Sequence, residues 1–214
     1  MALPKLDTPT YELEQPSTGE KIKYRPFLVK EQKTLMMAQE SGDDAQVRDA
    51  LASLITGCTF DAIDPYKVPI FDVEFLFLRI RGKSVGEKID LSLLCPDDNK
   101  TRVDKSINLE DIGVNMKVGH TNEIDITDNI KMIMRYPTLN DMTDMSPDTA
   151  DSEDVFTMIM RCVHEIHDGE KIYNKVDISE KELEEFIDSL TGNQFEGLSD
   201  FFNTMPKVQH SVEV

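Results

Sequence analysis

The stretch FDVEFLFLRIRGKSVGE, residues 71–87, limits the possible folds most. From Phe71 to Ile80 the run is almost wholly apolar, it turns basic at Arg79, Arg81 and Lys83, and it breaks on Gly86. Its period is ambiguous. Phe71, Val73, Phe75 and Phe77 alternate as a strand would, yet Leu76 and Leu78 fill the other face. A buried helix over Val73 to Ser84, N-capped by Asp72, is the predicted outcome. Beyond Gly86, IDLSLLC (89–95) alternates and carries strand-type residues, so the stretch marks a change from helical to β structure.

Everything before that point, apart from a hairpin, reads as helix. Tyr11 to Leu13 and Ile22 to Tyr24 flank PSTGE (16–20), a turn-forming run that predicts an N-terminal β-hairpin. Good helix formers extend from Leu28 to Glu40 and stop at Ser41-Gly42. Asp43 or Asp44 caps the next helix, whose Val47, Ala50, Leu51, Leu54 and Ile55 share a face, with Gly57 as its stop. Pro65 and Pro69 make residues 60–69 a loop.

After residue 86 the pattern is strand-like. KIDLSLLC and TRVDKSINL flank PDDNK (96–100) as a second hairpin, and 114–118, 123–127 and 129–136 extend the β structure to Pro137. Residues 138–154 are polar and acidic. Helical spacing returns with Val155, Phe156, Ile159, Met160 and Val163, on a helix expected to run to Gly169. Ser179 and Glu182 form a capping-box pair, and a last helix ends at Pro206. The tail VQHSVEV is strand-like, free to fray or to pair.

The predicted fold class is α+β, a discontinuous helical lobe with an inserted small antiparallel β lobe and an N-terminal β-hairpin. Its parts are the hairpin (1–27), the first helical part (28–85), the β lobe (86–137), an acidic linker (138–151), the second helical part (152–206) and the tail (207–214). The two helical parts are expected to pack together, with the hairpin against one of them.

Charge narrows the partners. The formal net charge of −18 argues against nucleic-acid or anionic-membrane binding, both of which reward Lys and Arg. About 18 acidic and about 5 basic side chains fall in residues 141–214, so most of the excess lies in the last third. That third is either a set of solvated helix faces or a docking face for a basic partner. The three cysteines, Cys58, Cys95 and Cys162, are far apart and imply no disulfide framework. No apolar core marks MALPKLDTPT as a signal peptide, and no apolar run is long enough to span a bilayer, so a soluble intracellular chain is expected.

Chemical motifs are sparse. Gly82-Lys83-Ser84 lacks the earlier glycine of a phosphate loop, since position 77 is Phe, and cations closing a helix are the simpler reading. Cys162-Val163-His164-Glu165-Ile166-His167 gathers ligand types, but its histidines stand at i and i+3, not in the HExxH spacing, and no second cluster completes four ligands. Cys95-Pro96 with Asp97 and Asp98 reads as a plain turn. Asn99-Lys100-Thr101 matches the glycosylation sequon, which has no bearing on an unsecreted chain. No GxSxG and no dinucleotide fingerprint occur. No enzymatic activity, cofactor or metal is expected. Met36-Met37, Met132, Met134, Met142, Met145, Met158 and Met160 suit either core filling or an adaptable apolar binding surface.

Three blocks together carry a family likeness. The opening MALPKLDTPTYELEQPSTGEKIKYRPFLVKEQKTLMMA, the central FDVEFLFLRIRGKSVGE and the ending QFEGLSDFFNTMPKVQH resemble the baseplate hub assembly proteins of T-even-type contractile-tailed bacteriophages. The resemblance runs through nearly the whole chain. It implies a non-enzymatic assembly factor or chaperone acting in the host cell cytoplasm on baseplate hub or tape-measure proteins, with no catalytic motif to carry over. A permanent structural subunit of the baseplate is the alternative. With the helical reading it suggests that an apolar groove takes up an amphipathic helix of the client. Arg79, Arg81, Phe201, Phe202 and Met205 are the first candidates for partner contacts, against core packing and helix termination.

Overall fold

The computed structural model describes residues 6–97, 100–143 and 152–212. Within them the chain is α+β, with six helices and ten strands in small sheets. Two compact units form: residues up to 115 together with those from 208 onward, and residues 116–207.

The first unit opens with the expected hairpin. Strands β1 (Tyr11–Glu14) and β2 (Lys21–Tyr24) pair antiparallel, with Leu13 opposite Ile22 and Tyr11 opposite Tyr24. Alternation buries Ile22 and Tyr24, and Gly19, at φ 72°, makes the turn. Helix α1 (Val29–Ser41) begins where the Glu31 carboxylate accepts the Leu28 N–H at 2.6 Å. It ends at Gly42 in the left-handed region, as Ser41-Gly42 predicts. Of the two candidate caps for α2 (Asp44–Cys58), Asp43 is the one used, accepting the Ala45 N–H at 2.9 Å. Gly57 does not stop α2. The Cys58 carbonyl accepts the Arg25 N–H at 2.9 Å, so the helix end is closed from outside and needs no glycine.

The ambiguous stretch is a helix, α3 (Ile70–Val85), which starts from Pro69 rather than Asp72. Phe71, Val73, Leu76 and Ile80 are buried, and Phe75, Phe77 and Leu78 are half-buried, which explains why no simple period showed in the sequence. Strands β3 (Lys88–Leu94) and β4 (Arg102–Asn108) form the second expected hairpin, with Ile89 opposite Ile107 and Leu93 opposite Val103. Part of its turn, and most of the expected acidic linker, lies outside the described residues. Strand β5 (Gly113–Asn115) is shorter than predicted. Its partner comes from the tail, where the last strand (Lys207–Gln209) pairs with it.

The second unit is a four-stranded antiparallel sheet with helices on one face. Strands β6 (Glu123–Asp125), β7 (Ile130–Met134), β8 (Val163–Asp168) and β9 (Lys171–Asn174) lie in that order. Helices α4 (Ser152–Cys162), α5 (Glu180–Asp188) and α6 (Gly192–Thr204) supply Ile159, Cys162, Leu183, Ile187, Leu198 and Phe201 to one core with Met132, Met134, Val163 and Ile166 of the sheet. The capping box of Ser179 and Glu182 starts α5 as predicted.

Two sequence expectations are corrected here. The helix expected to reach Gly169 stops at Cys162, and Val163–Asp168 is a strand, because the exposed edge of β7 takes these residues as its partner. Gly169, at φ 59°, instead turns the β8–β9 hairpin, and β9 was not foreseen. The boundaries at 85/86 and 137/138 also differ from the compact units, which divide at 115/116 and 207/208. The first three helices and the last three fall in separate units, because the apolar stripes of α4, α5 and α6 are buried on the inner face of β7 and β8. The N-terminal strand pair, β3 and β4 stay with the first three helices.

Candidate partner-binding face

The five candidate contact residues have different situations. Arg79 is a structural residue: its Nη1 donates to the Leu109 carbonyl at 2.7 Å and its Nη2 to that of Ile112 at 2.8 Å, while its guanidinium lies 4.6 Å from the centre of the Phe75 ring. Arg81 is half-buried, and its Nη1 has no hydrogen-bond partner among the described residues. Phe201 is 1% exposed and belongs to the core rather than to a contact surface. Met205 closes α6, its N–H donating to the Phe201 carbonyl at 2.9 Å. Phe202 is half-buried, edge-on to Phe201 with ring centres 5.0 Å apart, and it walls an open groove.

That groove lies on a face organised by α4. The helix buries Ile159 and Cys162 completely and leaves Val155 and Phe156 at 48% and 40% exposure. Phe156 is held in place by the Phe195 ring of α6, with centres 4.8 Å apart. Two notches open along α4. One, of about 330 Å³, is floored by Phe156, Met160 and Ile187 and rimmed by Glu153, Glu184 and Asp188. The other, of about 290 Å³, is lined by Val155, Met158 and Phe202 with Ser199 and Asn203. Of the methionines, Met132 and Met134 fill the core, and Met158 and Met160, packed against it, also line the notches.

Few cations share this face. Across α4, α5 and α6 the basic side chains are Arg161 and Lys181. Arg161 donates to the Asp141 carbonyl at 2.6 Å, and Lys181 pairs with Glu185 at 3.5 Å. The rim carboxylates therefore set the local sign. A third cavity, of about 490 Å³, lies between α5 and the β8–β9 hairpin, floored by Ile166, Leu183 and Phe186. Its charged lining residues are Asp168, Asp177 and Glu182.

The turn that follows β7 is held by a bidentate ion pair. Arg135 donates to both Asp141 carboxylate oxygens at 2.7 Å and, through Nη2, to the Arg161 carbonyl at 2.7 Å. Burial alone would raise the Asp141 pKa, but hydrogen bonds from Arg135 and from the Thr138 N–H and hydroxyl outweigh it, and the carboxyl titrates below its usual value. A depressed folded pKa gives stabilisation that is present above the unfolded value of about 3.9 and is lost as pH falls through the folded one. Urea titrations at about pH 7 and about pH 3 are therefore expected to show a larger loss of stability on acidification in the native chain than in Asp141→Asn.

The Cys162 to His167 cluster does not assemble. Cys162 ends α4 inside the core, where burial pushes its thiol pKa up to about 12. His164 and His167 lie on β8, where a register shift against β7 breaks the alternation, and both rings approach the Glu165 carboxylate, at 3.7 and 2.8 Å, away from the buried Cys162. Cys58 is likewise buried, its pKa raised to about 11 by desolvation. Among the described residues no three His, Cys, Asp or Glu side chains are placed to hold a metal ion, and no helix is long and apolar enough to cross a membrane.

One polar cluster was missed altogether. Asp72 is fully buried on α3 and accepts from Gln15 Nε2 at 2.6 Å, from the Ser17 N–H at 3.1 Å and from the Ser17 hydroxyl. Its signal in the sequence is an aspartate set between the apolar Phe71 and Val73, a position that also suits a cap. The cluster docks the N-terminal hairpin on α3.

With fold and face in place, comparison with known families is specific. The family model described as T4 bacteriophage base plate protein matches residues 8–214, and the chain belongs to that family. Neither a curated protein nor a solved structure gave a significant match.

Proposed function

We propose that this chain is a non-enzymatic assembly factor, a chaperone for the tail baseplate hub. In the host cytoplasm it holds an apolar or amphipathic segment of a hub or tape-measure protein until that segment meets its permanent partner. The carrying observation is α4, where Val155 and Phe156 stand exposed, each in the wall of one of two notches. Exposed apolar side chains beside open notches suit a partner surface better than bulk water. Family membership supports a baseplate role and bears equally on the second reading, a permanent baseplate subunit.

Tagged protein expressed with the phage hub and tape-measure proteins is expected to co-purify with at least one of them. Failure to retain either would overturn the assembly reading. Mass spectrometry of purified virions separates the two roles: a chaperone is absent from the particle, and a subunit is present in fixed stoichiometry.

A further inference from the structure

Helix α1 is covered on one side only. Of its 13 residues just Ala38 is buried, on the side that packs against α2. A helix of this length is marginal in water without further packing. Opposite Ala38, the residues Val29, Lys33, Met36 and Glu40 stand at i, i+4, i+7 and i+11 and form one exposed line, with Met37 beside it. Val29 and Met36 remain 80% and 51% exposed in the folded chain, so their apolar surface is left for another molecule.

We infer that this line is a self-docking surface. Helix α1 packs antiparallel on α1 of a second copy of this chain, about a two-fold axis that passes between Met36 and Met37. The inference is independent of the assembly reading.

Charge order selects this occupant. Lys30 is already paired with Glu31 at 3.3 Å, whereas Lys33 and Glu40 have no ion pair among the described residues. These two stand symmetrically about the midpoint of Met36 and Met37. Two antiparallel copies therefore set Lys33 of one against Glu40 of the other, twice, while the flexible methionines interleave at the axis. A parallel pair would set lysine on lysine and glutamate on glutamate.

The same order is unfavourable for a solitary helix. Apart from Glu31, which caps the N-terminus, the basic Lys30 lies in the first turn and the acidic Glu40 in the last. Each is at the end where the macrodipole disfavours its sign. An antiparallel neighbour brings each charge beside the opposite end of a second dipole. The whole-chain charge of −18 opposes association, but it acts over distances that salt at about 0.15 M screens, whereas ion pairs in contact keep part of their attraction. One helix pair is smaller than a standard interface, so a reversible, micromolar dimer is expected.

Sedimentation equilibrium of the full chain in about 0.15 M salt, from about 1 to about 500 µM, should show a monomer–dimer equilibrium. Lys33→Glu and Glu40→Lys should each weaken it by about tenfold or more, since each replaces two attractions by two repulsions. Glu40→Lys does so although it lowers the net negative charge, which sets the contact apart from general repulsion. The double variant Lys33→Glu/Glu40→Lys reverses the polarity of both pairs and should dimerise within about threefold of the native chain. Lys21→Glu, the same charge change as Lys33→Glu at an exposed position of β2, should shift the equilibrium by less than about twofold. All three positions are exposed, so folding is not at stake.

A monomer over the whole range would overturn the inference and leave the face to a helix of another protein. A dimer indifferent to both single variants would also overturn it. So would weakening by the single variants without rescue by the double one, which would mean that α1 meets a different surface of the second copy.

Discussion

Phe201→Ala is expected to destabilise the second unit by about 3–5 kcal/mol, the range for removing a large aromatic from a closed core. The side chain is 1% exposed and lies with its ring centre 5.3 Å from His120, 5.7 Å from Tyr136 and 5.0 Å from Phe202. Its loss leaves a cavity bounded by these rings. His120 is itself tied to Thr204 at 2.9 Å and to Tyr136 at 3.0 Å, so the rings cannot collapse inward without breaking those bonds. Urea denaturation followed by amide exchange in β7 and β8 measures the effect. Phe202→Ala, at a half-buried position, should cost clearly less and should act mainly on partner binding. A Phe201→Ala protein as stable as the native chain would remove Phe201 from the core and return it to the list of contact residues.

Asp72→Ala should cost about 1–3 kcal/mol, the usual penalty for stranding a buried hydrogen-bonding group. Gln15, 4% exposed, loses an acceptor and cannot turn to water without moving the hairpin, whereas Ser17 is exposed and can. The loss should be felt first as local opening: faster amide exchange in β1 and β2, ahead of any change in α2. Asp72→Asn keeps an acceptor oxygen and should retain part of the stability. If Asp72→Ala and the native chain unfold at the same urea midpoint, the cluster is not what holds the hairpin to α3.

These two residues also show the reach of sequence reasoning. Phe201 and Phe202 are adjacent and chemically identical, and both were natural candidates for a contact surface. Helical geometry alone separates their directions by about 100°, and only the position of the sheet decides which of the two is inside. Asp72 precedes an apolar run by a residue, the position of an N-cap. The helix starts one turn earlier from Pro69, and the carboxylate is spent on a hairpin 55 residues away in sequence.

Local signals were dependable wherever one short stretch was sufficient to satisfy its own backbone. The turn PSTGE, the Asp43 cap, the Gly42 stop and the Ser179/Glu182 box all close hydrogen bonds within a few residues, and they appear as predicted. The α+β class follows from them, as do the acidic excess of the last third and the likeness that the family match extends over residues 8–214. The Val163–Asp168 segment was beyond that reach. Its residues suit either a helix end or a strand, and the open edge of β7, a partner distant in sequence, makes it a strand. Which helices share a core, and which faces of α4 remain outside it, likewise depended on the sheet. Periodicity shows that a helix has an apolar stripe; it takes the packed neighbours to show how much of that stripe is left for a partner.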